Sequence, residues 1–289
     1  MSATPTAAPD CDPPPRHPDP APRKLPPGTC DTHFHVFGPQ SRYPMDPRRN
    51  YTPHECSLDD YRGVMRAIGI ERGVIVQPSV YGTDNRATLD GLRAGGANFR
   101  AIAVLAPSVS DDELAQMHAL GVRGLRLNLV NPQMVSLDDS LAILCRMAGR
   151  GWHLQVQMEL GKTPDALDAL CDKVDVPVVV DHMGKLPPST RAHPLMDRLK
   201  EGSCWVKLSA PYRVSAQPSP HTDLMPLVRA MAEANPTRVL WGSDWPHTEL
   251  HHGTPAAAAL AALVHDWFPD EALRRQICVT NPAQLYGFA

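Results

Sequence analysis

Short apolar runs alternate with longer amphipathic stretches along most of this chain, and the two repeat in a regular order. The apolar runs are rich in Val, Ile and Leu, which is typical of buried β-strands. Val178, Val179 and Val180, for example, form a continuous β-branched run of the kind buried on both faces of a sheet. The pattern predicts eight strands, at residues 29–36, 73–77, 99–105, 121–129, 152–158, 177–184, 204–209 and 238–244.

The amphipathic stretches between these strands carry signals for helix starts. Ser57 and Ser110 each precede an acidic first turn, as expected at a helix N-terminus. Another helix follows the polar turn at 78–85 and ends near Gly95. Further helices are predicted at residues 57–68, 110–121, 138–149, 164–173, 221–234, 255–266 and 270–277, with a last turn at 282–286.

Regular alternation of strand and helix favours parallel strands, and eight units favour an α/β protein of the (β/α)8 TIM barrel class. A doubly wound open sheet is the rival, but it normally has a GxGxxG loop after the first strand, where this chain has none. The chain has 289 residues and 43% hydrophobic content, enough for a single barrel domain, predicted at residues 28–289. Residues 1–27 are rich in proline, can bury little, and are predicted to form an extended or disordered tail.

Charge and cysteine content exclude other classes of protein. The formal net charge of −3 at pH 7 gives no basic field for nucleic acid. No stretch approaches the roughly 20 apolar residues of a membrane span, so we expect neither a nucleic-acid nor a membrane partner. The seven cysteines are scattered and form no CxxC pair, which fits reduced thiols in a cytoplasmic protein. The sequence is compatible with a homo-oligomer.

Polar residues follow almost every predicted strand, at the end where barrel enzymes carry their active sites. On the first strand, regular alternation puts His33 and His35 on one face with Asp31. Such a histidine pair also fits hydrogen-bonded core residues. Later strands favour a site, however, because a structural barrel has no need of so many buried polar groups. These strand-end residues are Ser79, Arg126, Asn128, Gln157, His182, Tyr212, Arg213 and Asp244.

Longer motifs carry a family resemblance. Asp31-Thr32-His33-Phe34-His35, Asp181-His182-Met183-Gly184 and Gly242-Ser243-Asp244-Trp245-Pro246 resemble the amidohydrolase superfamily. Val76-Gln77-Pro78-Ser79, Arg123-Gly124-Leu125-Arg126-Leu127-Asn128 and Val279-Thr280-Asn281-Pro282 resemble its amidohydrolase-2 branch, which includes lactonases acting on pyrone dicarboxylates. The resemblance covers nearly everything after the tail.

By position, the resemblance implies one catalytic group and one substrate-binding group of residues. Asp244 would be the general base that activates water. His33, His35 and His182 would polarise the scissile carbonyl or, in metal-using relatives, help to hold a divalent cation. The substrate would be bound by Tyr51, Ser79, Arg126, Lys185 and Arg213. Asn128 and Gln157 at strand ends, and His247 just past the eighth strand, are added to this group from their places in the predicted barrel.

Three positions depart from the branch and leave the exact substrate open. The run Val130-Asn131-Pro132-Gln133 stands where a second arginine is expected, and Gln157 stands where a tyrosine is expected. Lys185 replaces an arginine, which keeps the charge but loses the bidentate geometry. Lys185 and Arg213 also fit ordinary solvated surface residues.

The same residues bear on metal content. His33, His35, His182 and Asp244 would suit a single zinc or manganese ion. The resemblance implies that a binuclear centre would add a lysine on the fourth strand, which is absent, and a histidine late on the fifth. Because His153 lies at the wrong end of that strand, we expect no binuclear centre. Metal-free catalysis without a required cofactor is the first choice, and one divalent cation is the alternative.

The sequence therefore predicts a hydrolase that opens the lactone ring of a small anionic substrate by water attack. Arg126, Arg213 and Lys185 would form a cationic pocket for its carboxylate. Catabolism of aromatic or sugar acids is the expected setting. The alternatives are a mononuclear metal-dependent hydrolase or decarboxylase, a lactone isomerase that uses the same base, and a non-catalytic small-acid binding protein.

Overall fold

The chain forms a barrel of eight parallel strands that neighbour one another in sequence order. The computed structural model describes residues 8–15, 18–130 and 135–289. The (β/α)8 TIM barrel predicted from the sequence is confirmed. Its strands are β1 Cys30–Phe34, β2 Arg72–Val76, β3 Phe99–Ala103, β4 Val122–Asn128, β5 His153–Gln157, β6 Val178–Val180, β7 Cys204–Leu208 and β8 Val239–Trp241.

The barrel closes where β1 meets the segment that follows β8. The amide of Asp244 donates to the carbonyl of His33 at 2.8 Å, and the amide of His35 donates to the carbonyl of Trp245 at 2.8 Å. A parallel bridge also joins Phe34 to Trp245. Closure therefore places the two histidines of the first strand beside the aspartate that follows the last.

A β-bulge in β1 changes the faces predicted for this strand. Between Asp31 and Phe34, β1 has one residue more than the paired stretch of β2. The alternation of side chains between the two faces of β1 is therefore interrupted there. Asp31 and Phe34 both contact Tyr61 of the first helix, through a 2.8 Å hydrogen bond and a stacked ring respectively. The expectation that Asp31 shares a face with His33 and His35 is therefore wrong. The two histidines face the barrel interior, and Asp31 faces the helix layer.

Ten helices surround the sheet in the described ranges: α1 Leu58–Ile68, α2 Arg86–Gly95, α3 Asp111–Leu120, α4 Leu137–Arg146, α5 Ala166–Cys171, α6 Pro194–Glu201, α7 Met225–Ala234, α8 Ala257–Trp267, α9 Glu271–Arg275 and α10 Asn281–Tyr286. The predicted caps are confirmed, because Ser57 and Ser110 each form a capping box. The sequence pattern gave no signal for α6, which starts at a proline. None of these helices is long and apolar enough to cross a membrane.

A polar layer separates the apolar base of the barrel from its C-terminal end. At the base, Cys30 and Leu240 pack in one cluster with Tyr286 of α10. Above them Lys207 is fully buried, and its ammonium donates to the carbonyl of Thr32 at 2.8 Å. A buried ammonium is costly unless its protons are bound, so this layer is held together by specific hydrogen bonds.

The described part of the N-terminal segment runs along the barrel body. The amide of Cys11 donates to the carbonyl of Thr52, and the amide of Asp12 donates to the carbonyl of Leu250, both at 2.8 Å. Cys11 and Leu25 are buried. The composition of the segment suggested less burial. Residues 1–7, 16 and 17 of the predicted tail lie outside the described residues, and the boundary at residue 28 stays a prediction.

Candidate active site

The turn after β8 places the carboxylate of Asp244 at the C-terminal end of the barrel. Asp244 has a φ of 60°, in the left-handed region that aspartate tolerates better than most residues. The hydrogen bond from its amide to His33 holds this conformation. The residue is 1% exposed, so its charge depends on the groups around it.

Three imidazoles surround one oxygen of that carboxylate. The Nε2 atoms of His33, His35 and His182 lie 3.5, 3.8 and 3.8 Å from Oδ1 of Asp244. The rings also contact one another, with the centroid of His33 5.1 Å from that of His35 and 4.8 Å from that of His182. All four side chains are buried, and buried polar groups interact more strongly than exposed ones.

The opposite ring nitrogens fix the orientation of these histidines. Nδ1 of His35 lies 2.7 Å from the carbonyl of Val76, which only accepts, so Nδ1 carries the proton. Nδ1 of His182 lies 2.8 Å from the hydroxyl of Ser209. Burial lowers the pKa of His35 and of His182 to about 4, and lowers the pKa of His33 well below its usual value. The rings are therefore neutral at pH 7.

The second carboxylate oxygen has its own donors. Oδ2 of Asp244 accepts hydrogen bonds from the hydroxyl of Tyr212 and, at 3.3 Å, from Nε of Arg213. Burial alone raises the pKa of Asp244, but attraction to His182 and Arg213 outweighs it and holds that pKa well below its usual value. Burial keeps the pKa of Tyr212 far above its usual value, so the phenol stays a donor. Asp244 is thus an ionised, oriented carboxylate.

A cleft of about 290 Å³ leads to this carboxylate. Most of the site residues predicted from the sequence line it. The lining consists of His35, Tyr51, Ser79, Arg126, Asn128, Gln157, His182, Arg213, Asp244, Thr248 and Glu249.

Arg126 of β4 is held by its neighbouring strands. Nη1 donates to the carbonyl of Gln77 at 3.0 Å, and Nη2 donates to Oε1 of Gln157 at 2.8 Å. The side chain is 6% exposed. Nε is buried and faces Oδ2 of Asp181 at 3.7 Å. Gln157, on β5, therefore orients the guanidinium, and the remaining N–H groups of Nη1 and Nη2 can bind an anion in the cleft.

The resemblance implied histidines at the ends of the first and sixth strands and an aspartate after the eighth strand. The structure has this arrangement. Residues 30–288 match the family model described as amidohydrolase. This chain belongs to the amidohydrolase family.

Similar proteins cover almost the whole length of this amidohydrolase. It is 34% identical to a 4-sulfomuconolactone hydrolase from Hydrogenophaga intermedia, over 97% of this chain and 95% of that protein. It is 35% identical to a 2-pyrone-4,6-dicarboxylate hydrolase from Comamonas testosteroni, over 91% of each. A crystal structure of a probable 2-pyrone-4,6-dicarboxylic acid hydrolase from Acinetobacter baumannii, with citric acid bound, superposes with a TM-score of 0.79. That structure is 26% identical and covers 90% of this chain and 100% of its own.

Three predicted site residues of the amidohydrolase do not line the cleft. His33 lies behind it, against Asp244. Lys185 forms an ion pair with Glu159 at 3.3 Å. His247 is buried with its ring edge-on to Tyr212. The substrate-binding roles of Lys185 and His247 stay predictions. Of the run expected to replace a second arginine, residues 131–133 lie outside the described residues.

Behind the cleft, a buried ion pair supports His33. Oδ1 of Asp181 lies 3.2 Å from Nδ1 of His33 and 3.8 Å from Nζ of Lys207. Attraction to these two groups lowers the pKa of Asp181 despite its burial, and burial lowers the pKa of Lys207 to about 8. The predicted structural role of Asp181 is consistent with this contact. Lys207 was missed, because a lysine within a strand gives no sequence signal for a buried partner.

Two more lining residues, Thr248 and Glu249, were also missed. They follow Asp244 in a turn where His247 and Glu249 have positive φ values of 66° and 62°. Non-glycine residues seldom adopt such angles, so the sequence gives no signal for a turn that folds Glu249 back into the cleft. Tyr212 was noted only as following the seventh strand.

The donor set at the floor of the cleft fits a single divalent cation. One ligand atom each from His33, His182 and Asp244 lies within 4.8 Å of the others. Nε2 of His33 is buried without a hydrogen-bond partner. Imidazole and carboxylate are ligands that zinc and manganese accept.

Proposed function

We propose that this amidohydrolase is a lactonase that opens the ring of a small, carboxylate-bearing lactone by water attack. The single observation that carries this proposal is the position of Asp244, whose ionised carboxylate faces three imidazoles at the floor of a cleft that also contains Arg126. The names of the similar lactone hydrolases from Hydrogenophaga and Comamonas support the reaction class.

In the proposed reaction, Asp244 accepts a proton from water while the water oxygen adds to the lactone carbonyl carbon. Charge then develops on the carbonyl oxygen, and a cation held by His33, His182 and Asp244 would stabilise it. The ring C–O bond breaks, and the proton passes from Asp244 to the departing ring oxygen. The products are a hydroxyl and a second carboxyl group on the same molecule, and this carboxyl group loses its proton to the solvent. Arg126 holds the original carboxylate throughout.

A single divalent cation is the favoured form of the proposal. His33, His182 and Asp244 would hold it, and it would polarise the lactone carbonyl as a Lewis acid. The support is that one ligand atom from each of these three residues lies within 4.8 Å of the others and that Nε2 of His33 is buried without a hydrogen-bond partner. The metal-free mechanism, first choice on the sequence, stays a prediction.

The test is ring opening of a panel of small lactone carboxylates in water labelled with heavy oxygen. A lactonase incorporates the label into the new carboxylate. A lactone isomerase gives a product of unchanged mass, a decarboxylase releases carbon dioxide, and a binding protein leaves the lactone intact. Any of these last three outcomes contradicts the proposal.

The predicted setting of the protein belongs to the proposal as well. A small anionic substrate is supported by Arg126 in the cleft. A cytoplasmic location is supported by the cysteines, which are all free thiols.

A further inference from the structure

The cleft contains few cationic side chains that could bind a doubly charged ligand. Among its described lining residues, the cations are Arg126 and Arg213. Lys185 is bound to Glu159 instead. The sequence between β4 and α4, residues 129–136, contains neither lysine nor arginine. Among the described lining residues, two cationic side chains are therefore available to bind anionic groups of a substrate.

One of these two cations is already neutralised by the protein. Arg213 donates through Nε to Asp244 at 3.3 Å, through Nη1 to Oε2 of Glu249, and through Nη2 to the carbonyl of Thr248. It is 13% exposed. Its single positive charge faces two carboxylates, so the Arg213 side of the cleft carries no surplus positive charge for an anion.

Glu249 makes this side of the cleft favour hydrogen-bond donors over anionic groups of a ligand. Its side chain is 26% exposed and lines the cleft, and Oε1 accepts a hydrogen bond from Asn50 at 2.8 Å. An ionised carboxylate only accepts hydrogen bonds. A ligand hydroxyl can donate to it, whereas a second ligand carboxylate would face it with the same charge.

We infer that the substrate carries one carboxylate, bound by Arg126, and presents a hydroxyl or another neutral donor to Glu249. Glu249 is then a specificity-determining residue that selects monoanionic, hydroxyl-bearing lactones over dianionic ones. The part of this inference that concerns lactone opening rests on the proposed lactonase function. The part that concerns the charge of the ligand does not.

The experiment compares two pairs of compounds, and the members of each pair differ in one substituent, a carboxylate in one and a hydroxyl in the other. The first pair is a pyrone dicarboxylate and the hydroxypyrone monocarboxylate with the same ring, and the rate of ring opening is measured for both. The second pair is isophthalate and meta-hydroxybenzoate, which have no lactone ring. Their binding is measured by calorimetry. The proteins are the wild type, Glu249→Gln and Asp168→Asn. The last is a matched control, because Asp168 pairs with Arg198 at 2.7 Å and does not line the cleft.

For the wild type we expect at least about a tenfold preference for the monoanion in each pair, since placing like charges together costs several kcal/mol. Glu249→Gln should reduce that preference at least about fivefold, because its amide can donate to a carboxylate and Arg213 regains its charge. Asp168→Asn should leave it unchanged. Equal or better use of the dianion by the wild type, or the same preference in Glu249→Gln, would overturn the inference.

The two compound pairs separate failure of the inference from failure of the proposed function. If meta-hydroxybenzoate binds more tightly than isophthalate but no lactone is opened, the charge preference stands and the lactonase proposal fails. If lactones of both charges are opened equally well, the lactonase proposal stands and the inference fails.

Discussion

Nε2 of His35 faces Oδ1 of Asp244 at 3.8 Å, while Nδ1 of the same ring donates to the carbonyl of Val76 at 2.7 Å. The second contact fixes the tautomer, so the nitrogen that faces the carboxylate has a lone pair and no proton. Two acceptors that face each other in a buried site call for a bridging proton, water or cation. Nε2 of His182 lies at the same distance, 3.8 Å, from that oxygen.

Metal content is the first consequence of this geometry. We expect the purified protein to carry about one equivalent of a divalent cation, and chelation to lower turnover at least about tenfold. Zinc or manganese added back should restore it. The measurements are elemental analysis and ring opening of a responsive lactone before and after dialysis against a chelator.

His182→Asn should reduce the bound metal, whereas Asp168→Asn, outside the cleft, should retain it. Full turnover by protein that carries almost no metal would instead support the metal-free mechanism, in which the histidines act on the carbonyl directly.

Arg126→Lys should weaken substrate binding more than it slows the chemical step. Lysine keeps the charge but cannot reproduce the fork that contacts Gln77 and Gln157 while binding a carboxylate. We expect KM to rise about tenfold or more, with kcat within about threefold of the wild-type value. Steady-state kinetics measure both. Arg198→Lys is the control, and an unchanged KM in Arg126→Lys would exclude Arg126 as the carboxylate site.

His153 should make the protein less stable in acid. It is fully buried, neither ring nitrogen has a hydrogen-bond partner, and burial lowers its pKa from 6.5 to about 3. Below pH 6.5 the unfolded chain binds a proton at this residue that the folded protein excludes, so stability falls as pH falls toward 3. Each pH unit in this window costs about 1.4 kcal/mol from this residue.

Thermal unfolding between pH 7.5 and pH 4.5 tests this expectation. His153→Gln should show a shallower fall of Tm with decreasing pH than the wild type, whatever its absolute Tm. The exposed His54→Gln should keep the wild-type slope. Identical slopes for His153→Gln and the wild type would show that His153 titrates normally in the folded protein.

The segment at residues 8–12 should support the cleft from outside. It pairs with Thr52, next to the lining residue Tyr51, and Sγ of Cys11 accepts a hydrogen bond from the amide of Glu249 at 3.3 Å. Deletion of residues 1–12 should therefore lower kcat/KM at least about threefold, with a larger effect on KM than on kcat. Deletion of residues 1–7 keeps these contacts and is the control. Equal kinetics for the two deletions would show that residues 8–12 do not position the cleft.

Much of the barrel follows from local sequence rules, as the capping boxes of Ser57 and Ser110 and the β-branched run of β6 illustrate. The elements that escaped prediction depend on tertiary contacts. The bulge in β1 separates Asp31 from His33 because Asp31 bonds to Tyr61 and Ser243, which no periodicity in β1 reveals. Helix α6 starts at Pro194 within a polar, proline-containing stretch that resembles a loop.

The site residues at the ends of strands could be predicted from the sequence. Those in turns that fold back into the cleft were harder to predict. His35, His182 and Arg126 could be found because their strands must converge at one end of a barrel. Glu249 could not be found, because its position depends on a turn with left-handed residues. Lys185 was predicted to bind substrate from its position in the family resemblance, whereas in the structure it pairs with Glu159 and does not line the cleft.

The most direct test of the proposed reaction is turnover by Asp244→Asn, measured together with binding of a carboxylate ligand that is not hydrolysed. The amide keeps the shape of the side chain but cannot accept a proton from water. We expect kcat for lactone opening to fall about 1000-fold, with binding of meta-hydroxybenzoate within about threefold of the wild type and an unchanged fold. Ring opening by Asp244→Asn within about tenfold of the wild-type rate would contradict the assignment of Asp244 as the general base.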